Sequence, residues 1–306
     1  LCYSPEFIAL GSVIHDFLNP DFTLIGEFDE ASGALLERSY EAIMVNGAPA
    51  RRMSLENAEL AKIALNSYVT AKITFANMLA DLCERIPGGD VDVVCQALGL
   101  DKRIGRNYLK GALSYGGPCF PRDNAALGFL AQALDGCADL YQTTDALNRS
   151  RVPHIVDRLR PYLRQGDRVA VLGLAYKPQT QVVEKAAGIE LAAALADAGC
   201  QVAVYDPLAM DQARRELGDA VEYAGSLAQC VGSAKAVVVA VADQAYARLE
   251  ASDFAAGAIV LDGWRLLRDR LEHEPRVVYL AVGLAGEEAQ LADRLRQVWA
   301  WTPQQR

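Results

Sequence analysis

Arg168-Val-Ala-Val-Leu-Gly-Leu-Ala175 decides the fold. An unbroken apolar run closed by Gly173 reads as a strand buried on both faces. A helical stretch over Ala186–Ala198 follows and stops at Gly199. Gln201-Val-Ala-Val-Tyr-Asp206 is the next strand, and Ala236–Val241, Ala258-Ile-Val-Leu-Asp262 and Val277-Val-Tyr-Leu-Ala-Val282 continue the series. Strands alternating with helices predict an α/β domain with a doubly wound parallel sheet over residues 165–306. Gln165-Gly166-Asp167 is a turn and marks its start. Such sheets bind ligands at the carboxyl ends of their strands. The first strand-to-helix turn, Gly173-Leu-Ala-Tyr-Lys-Pro178, lacks the Gly-x-Gly-x-x-Gly fingerprint, as does the rest of the chain. This sheet is therefore not expected to hold a dinucleotide in the usual way. Asp206, just before Pro207, reads as a turn residue rather than a ribose ligand.

Upstream, residues 51–164 read as an all-helical domain. Ser54 to Ile86 carries the longest helical signal, with Ser54 as N-cap and Pro87-Gly88-Gly89 as the stop. At about 1.5 Å per residue it would run about 50 Å, enough to span a domain or a subunit interface. Apolar residues lie nearly all round it, which predicts a buried helix. Lys62 and Asn66 are four apart and share a face. On a buried helix they need partners. Lys62 either pairs with Glu59 on a wet edge or points with Asn66 into a cleft. Residues 1–50 hold one strand, Asp21–Glu27, and one helix, Asp29–Ile43. They read as the end of a domain whose other strands are absent, and a chain opening on Leu1 reads as a piece of something longer. Glu6 follows a proline in a loop, where a surface carboxylate is the plain reading.

Gly111-Ala-Leu-Ser-Tyr-Gly-Gly-Pro-Cys-Phe-Pro-Arg-Asp123 lies between a short helix, Asp90–Leu98, with its basic tail to Lys110 and a run of helices reaching Leu163. Its glycines open turns closed to other residues and its prolines stiffen them. Asp123 reads as the N-cap of the next helix. A thiol just ahead of a helix N-terminus sits in positive potential, which favours the nucleophilic thiolate. Cys119 is thus a candidate nucleophile, with a small buried hydrophobe as the alternative.

Composition narrows the partners. A net charge of -9 over 306 residues argues against nucleic acid or an anionic membrane surface. The longest apolar runs are strand-sized, short of the ~18 residues needed to span a bilayer. Residues 1–20 carry Glu6, Asp16 and an early proline with no basic start, so no signal peptide is expected. Seven cysteines without Cys-x-x-Cys suggest reduced thiols and a cytoplasmic setting. His15, His154 and His273 show no metal-ligand spacing, so no metal is expected.

Four motifs, in order, resemble the nucleotide-sugar 6-dehydrogenase family, the UDP-glucose and GDP-mannose dehydrogenases. They are Tyr3-Ser-Pro-Glu-Phe7, Asn57-Ala-Glu-Leu-Ala-Lys62 with Asn66, Gly116-Gly-Pro-Cys-Phe-Pro-Arg-Asp123, and Leu172-Gly-Leu-Ala-Tyr-Lys-Pro178. The resemblance runs over essentially the whole chain. It implies the end of an N-terminal dinucleotide-binding domain over 1–50, a central dimerisation domain over 51–164 and a Rossmann-like nucleotide-sugar-binding domain over 165–306. The Gly-rich NAD loop would then lie upstream of Leu1. It also implies NAD-dependent oxidation of a sugar C6 alcohol to a carboxylate, UDP-glucose being the expected substrate, in a homodimer joined through the long helix. Cys119 would attack the aldehyde, Lys62 and Asn66 would stabilise the oxyanion, and Asp123 and Glu6 would manage a water and its protons. Phe7, Arg103, Tyr108, Lys110, Gly116, Tyr176, Lys177 and Arg265 match substrate-binding positions, Arg103 reaching across the dimer. The chain departs from the family in having Leu10 for a glutamate, Glu184 for an arginine facing the cofactor, and Pro118 for a serine. Asp262-Gly-Trp264 stands for Asp-Gly-Arg, with Arg265 one position on. A non-catalytic nucleotide-sugar-binding dimer stays open.

Overall fold

The computed structural model describes residues 1–286 and 288–300. The chain forms two compact units, Leu1–Tyr68 with Arg122–Tyr141, and Val69–Pro121 with the chain from Gln142 onward.

In the first unit, β1 (Cys2–Tyr3), α1 (Val13–Leu18), β2 (Thr23–Glu27), α2 (Glu30–Ile43) and β3 (Ala50–Ser54) precede the long helix α3 (Leu55–Cys83). The sheet order is β1-β2-β3, with β1 antiparallel and β3 parallel to β2. β2 forms the core because Leu24 and Ile25 are buried. α2 starts where Asp29 accepts the Ser32 N–H at 2.8 Å. β3 is a strand despite its two arginines. Arg52 donates to Glu27 at 2.8 Å and to Glu37 at 3.3 Å, so its charge is matched along the strand.

α3 follows β3 without a break, and the Ser54 hydroxyl accepts the Asn57 N–H at 3.4 Å. The helix stops three residues before the expected Ile86. Gly89 folds back on its end, where a Cβ would stand 2.2 Å from the Cys83 carbonyl. α3 is not buried all round as its composition suggested. Tyr68, Phe75, Met78 and Leu82 form an exposed apolar stripe.

The second unit continues through α4 (Val91–Gly99), α5 (Phe120–Ala133), α6 (Asp139–Arg149) and α7 (Arg151–Leu159). α3, α5 and α6 each contribute residues to both units. The sheet strands are β4 (Arg168–Leu172), β5 (Gln201–Tyr205), β6 (Glu222–Tyr223), β7 (Ala236–Val239), β8 (Ala258–Asp262) and β9 (Val277–Ala281), with α8 (Ala187–Asp197) after β4. Their order is β6-β5-β4-β7-β8-β9 and every pair is parallel. The chain reverses direction across the sheet between β4 and β7, as the strand-helix alternation predicted. One face packs Leu174, Leu191 and Leu195 with Ile155 and Leu159 of α7, and the other packs Tyr246, Phe254, Leu267 and Leu271. Each such side chain contributes roughly 1.5–3 kcal/mol by leaving water. No helix among the described residues is long and apolar enough to cross a membrane.

Candidate functional site

In the first unit the Tyr3–Phe7 motif lies against α3. Lys62 Nζ donates to the Glu6 carbonyl at 2.6 Å and stands 4.3 Å from the Phe7 ring centroid. Phe7 is itself fixed against Phe22, with centroids 4.9 Å apart. One turn on, Asn66 Nδ2 donates to Asp123 Oδ2 at 2.6 Å, and both residues are buried. Arg122 Nε donates to the other oxygen of Asp123 at 2.9 Å. Asn66 and Asp123 are therefore in direct contact, and Lys62 lies one turn before Asn66 on the same helix. The Glu6 carboxylate is exposed and accepts from the Tyr40 hydroxyl at 3.1 Å. The Glu6 main-chain carbonyl is the atom that accepts from Lys62. Burial pushes the Tyr3 phenol up, and the charges of Glu59 and Asp123 add to the push.

Asp123 is not an N-cap. α5 starts at Phe120, so Asp123 is in its first turn and Cys119 is the residue directly before the helix. The Asp123 carboxylate is held by side chains instead of its own backbone.

In the second unit Cys119 is exposed, which rules out the buried-hydrophobe reading. The glycines before it are required by close packing. A Cβ on Gly117 would stand 2.7 Å from the Tyr176 ring, and one on Gly116 would stand 2.1 Å from the Lys185 carbonyl. What approaches Gly116 is thus the protein's own backbone. The Gly117 N–H donates to the Glu184 carbonyl at 2.8 Å. Burial pushes the Tyr176 phenol up, with the Cys119 and Tyr108 charges adding. Lys177 Nζ stands 5.7 Å from the Tyr176 ring centroid. Tyr108 takes a left-handed φ of 65° and meets Phe120 edge-on at 6.1 Å. Arg103 is exposed and turned back on Asp101, with Nη2 to Oδ2 at 2.6 Å. The Lys110 side chain is exposed too.

Arg265 needs correction as a substrate ligand. Its Nε and Nη2 grip Asp92 at 2.7 and 3.0 Å, and its remaining N–H groups go to the Gly111, Val282 and Lys110 carbonyls at 2.9, 2.7 and 2.8 Å. All five donors of the guanidinium are engaged. Arg265 is a brace for the segment that leads to Cys119.

Other braces were not anticipated: Asn77, Asn148 and Arg151 all hold the backbone between Ala112 and Tyr115. One signal was available. Asn66, Thr70, Thr74 and Asn77 recur at helical spacing along one face of α3, and all four are buried. His154 also gathers with Asp81 and Glu84, a grouping its isolation in sequence did not suggest. Arg151 already pairs with Asp81, and Arg158 with Glu84 at 2.8 Å, so the cluster is an ion-pair network.

A dinucleotide finds no cradle at either candidate turn. After β4 the helix does not begin until Ala187, and the Leu174 and Ala175 N–H groups donate to Asp206 at 2.8 and 3.1 Å. Those are the donors a phosphate would need. Asp206 also accepts from the Leu208 and Ala209 N–H groups, each at 2.8 Å, which makes it a turn residue. After β2, Asp29 and Glu30 put carboxylates at the start of α2. Neither of these two turns fits the pyrophosphate of a dinucleotide.

Two family models match the chain. The UDP-glucose/GDP-mannose dehydrogenase family, central domain, covers residues 56–150, and the UDP binding domain of the same family covers 170–269. UDP-glucose 6-dehydrogenase TuaD of Bacillus subtilis is 37% identical over 72% of this chain and 47% of the relative. UDP-glucose 6-dehydrogenase AglM of Haloferax volcanii is 35% identical over 90% of this chain and 65% of the relative. A UDP-glucose dehydrogenase structure from Pyrobaculum islandicum superposes with a TM-score of 0.83 at 35% identity, covering 93% of this chain and 63% of that one. The chain thus spans about half to two thirds of the length of the curated relatives it matches.

Proposed function

We propose, from the premise that this chain belongs to the UDP-glucose/GDP-mannose dehydrogenase family, that it is the sugar-binding and thiol-bearing part of an enzyme that oxidises a nucleotide sugar at C6. UDP-glucose is the first substrate to test, since the relatives at 35% and 37% identity bear that name. The observation that carries the reading is an exposed Cys119 directly ahead of α5, in a loop packed against Tyr176 and the glutamate-lysine backbone of residues 184–185. The Cys119 sulfur adds to a C6 aldehyde. An S–C bond forms, the carbonyl π pair moves to oxygen, and that oxygen takes a proton. Lys62 and Asn66 serve as the cation and amide donor for the developing oxyanion, and Asp123 and Glu6 as carboxylates for water and proton transfer. Tyr108, Lys110, Tyr176, Lys177, Phe7 and Gly116 line the sugar nucleotide, with Arg103 reaching in from a second copy. The exposed stripe on α3 supports a homodimer across residues 51–164. Residues 165–306 take the nucleotide, and residues 1–50 close a dinucleotide domain. NAD is the implied hydride acceptor, and neither the turn after β4 nor the turn after β2 is assigned to its pyrophosphate. Seven unpaired cysteines suit a reducing, cytoplasmic compartment.

The test supplies the 6-aldehyde of UDP-glucose, carbon-13 labelled at C6, to the chain. A thiohemiacetal carbon signal is expected and is lost in Cys119→Ser. An adduct that survives this substitution would discard the mechanism. A second reading is a nucleotide-sugar-binding dimer without chemistry, in keeping with the match to a UDP binding domain over residues 170–269. It predicts UDP binding with no adduct in the unaltered chain.

A further inference from the structure

Two side-chain amides hold the segment ahead of Cys119 as a neighbouring strand would. Asn77 on α3 accepts the Ala112 N–H at 2.7 Å and donates to the Leu113 carbonyl at 3.1 Å. Asn148 on α6 accepts the Tyr115 N–H at 2.9 Å and donates to the Tyr115 carbonyl at 3.0 Å. A carboxamide carries both an acceptor and a donor, which is what a backbone neighbour offers. Arg151 donates to the Ala112 carbonyl at 2.9 Å, and Asp145 accepts the Tyr115 hydroxyl at 2.8 Å. Burial, followed by Asp145, pushes the Tyr115 phenol well up, so it stays a donor.

The hold extends toward the thiol. The Tyr115 ring meets Phe120 edge-on at 6.4 Å, and Phe120 is the first residue of α5, next to Cys119. Main chain and ring together tie Asn148 to the residue that follows the sulfur. Asn77 sets the other end of the same four-residue segment.

We infer that Asn77 and Asn148 are positioning residues that fix where the Cys119 sulfur meets a carbonyl carbon. The inference rests on the reading of Cys119 as the nucleophile. Attack needs the reacting atoms about 3–3.5 Å apart, and a displacement of about 1 Å costs on the order of a hundredfold. Removing either amide leaves buried backbone N–H and C=O groups unpaired, and the loop must move to repair them. Addition of the thiol to an aldehyde needs no oxidant, so the chain can be tested as it stands.

The labelled 6-aldehyde of UDP-glucose reports the adduct constant, calorimetry with UDP reports nucleotide affinity, and hydrogen exchange reports the Ala112 and Tyr115 amides. In Asn148→Ala the Tyr115 amide is expected to lose protection and the adduct constant to fall about tenfold, with UDP affinity kept within about twofold. Asn77→Ala does the same at Ala112. Asn148→Asp keeps an acceptor for the Tyr115 N–H, so it restores that protection and part of the adduct. Should an alanine variant fail to fold, the aspartate variant and Asn148→Ser carry the comparison. An unprotected Tyr115 amide with an unchanged adduct constant overturns the inference. So does a UDP affinity that falls in step with the adduct. Absence of any adduct in the unaltered chain, with both amides protected, removes the nucleophile reading and this inference with it, while leaving the amide hold itself established.

Discussion

β4 and the segment from Gly111 to Tyr115 are both largely buried parts of the second unit, yet their backbones are satisfied in opposite ways. β4 bonds to β5 on one side and β7 on the other, backbone to backbone. The segment leading to Cys119 is held by side chains from Asn77, Asn148, Arg151 and Arg265. In the ladder no single side chain is responsible for a backbone hydrogen bond, so packing alone decides what a substitution costs. In the loop each side chain carries its own share of the backbone. Truncating one leaves polar groups buried and unpaired.

The largest effect belongs to the sheet. Leu261 is fully buried in β8, and Leu261→Ala is expected to cost about 3 kcal/mol, read as a lower denaturant midpoint. Protection of the Ala112 and Tyr115 amides, measured below the transition, remains. Loss of that protection alone would mean the two regions are not independent. Arg265→Met comes next, at about 2 kcal/mol. It strands three carbonyls and Asp92, and the partial exposure of Asp92 keeps the cost below that of a sealed ion pair. Its signature is local, with faster exchange around Lys110 to Ala112. A stability equal to the parent's would show that water replaces the guanidinium at no cost.

The same contrast explains what could be read from sequence. β4, β5, β7, β8 and β9 are legible because β-branched and apolar runs end at glycine or aspartate, and a parallel strand buried on both faces needs nothing else. β3 was not legible, because Arg51-Arg52 looks like a loop until Glu27 and Glu37 are seen beside it. β6 is two residues long and leaves no period to detect. Cys119, Lys62, Asn66 and Asp123 stood out as residues of the right chemistry. The role of Asp123 did not, since a cap and a buried acceptor look alike until the partner is known, and Asn66 is 57 residues away. Arg265 is the same problem in reverse. Its match to a substrate-binding position suggests a ligand, and only the acceptors around it show that it has no donor left. Asn77 and Asn148 act on a backbone far off in sequence, where residue type says nothing about the partner.

The smallest effect separates a charged brace from the uncharged ladder by pH. Glu84, just past α3, is buried, which would raise its carboxyl. The His154 hydrogen bond, the Arg158 charge and the Gly283 N–H at 2.8 Å outweigh burial and hold it below the usual carboxylate range. A carboxyl whose folded pKa lies below the unfolded value of about 4.3 stabilises the fold above that value. That stability is lost as pH falls through the folded pKa, because the unfolded chain takes the proton more readily. Glu84→Gln keeps the shape and an acceptor for Gly283 but cannot titrate. At pH 7 it is expected to be less stable than the parent by about 1 kcal/mol. Other carboxylates titrate alike in both proteins and cancel in the difference. The gap should therefore close as pH drops below about 4.3, measured as the difference in unfolding midpoint at each pH. A gap that stays constant down to pH 3 would mean that Glu84 acts through its shape and not its charge. The brace would then be as indifferent to protons as the ladder beside it.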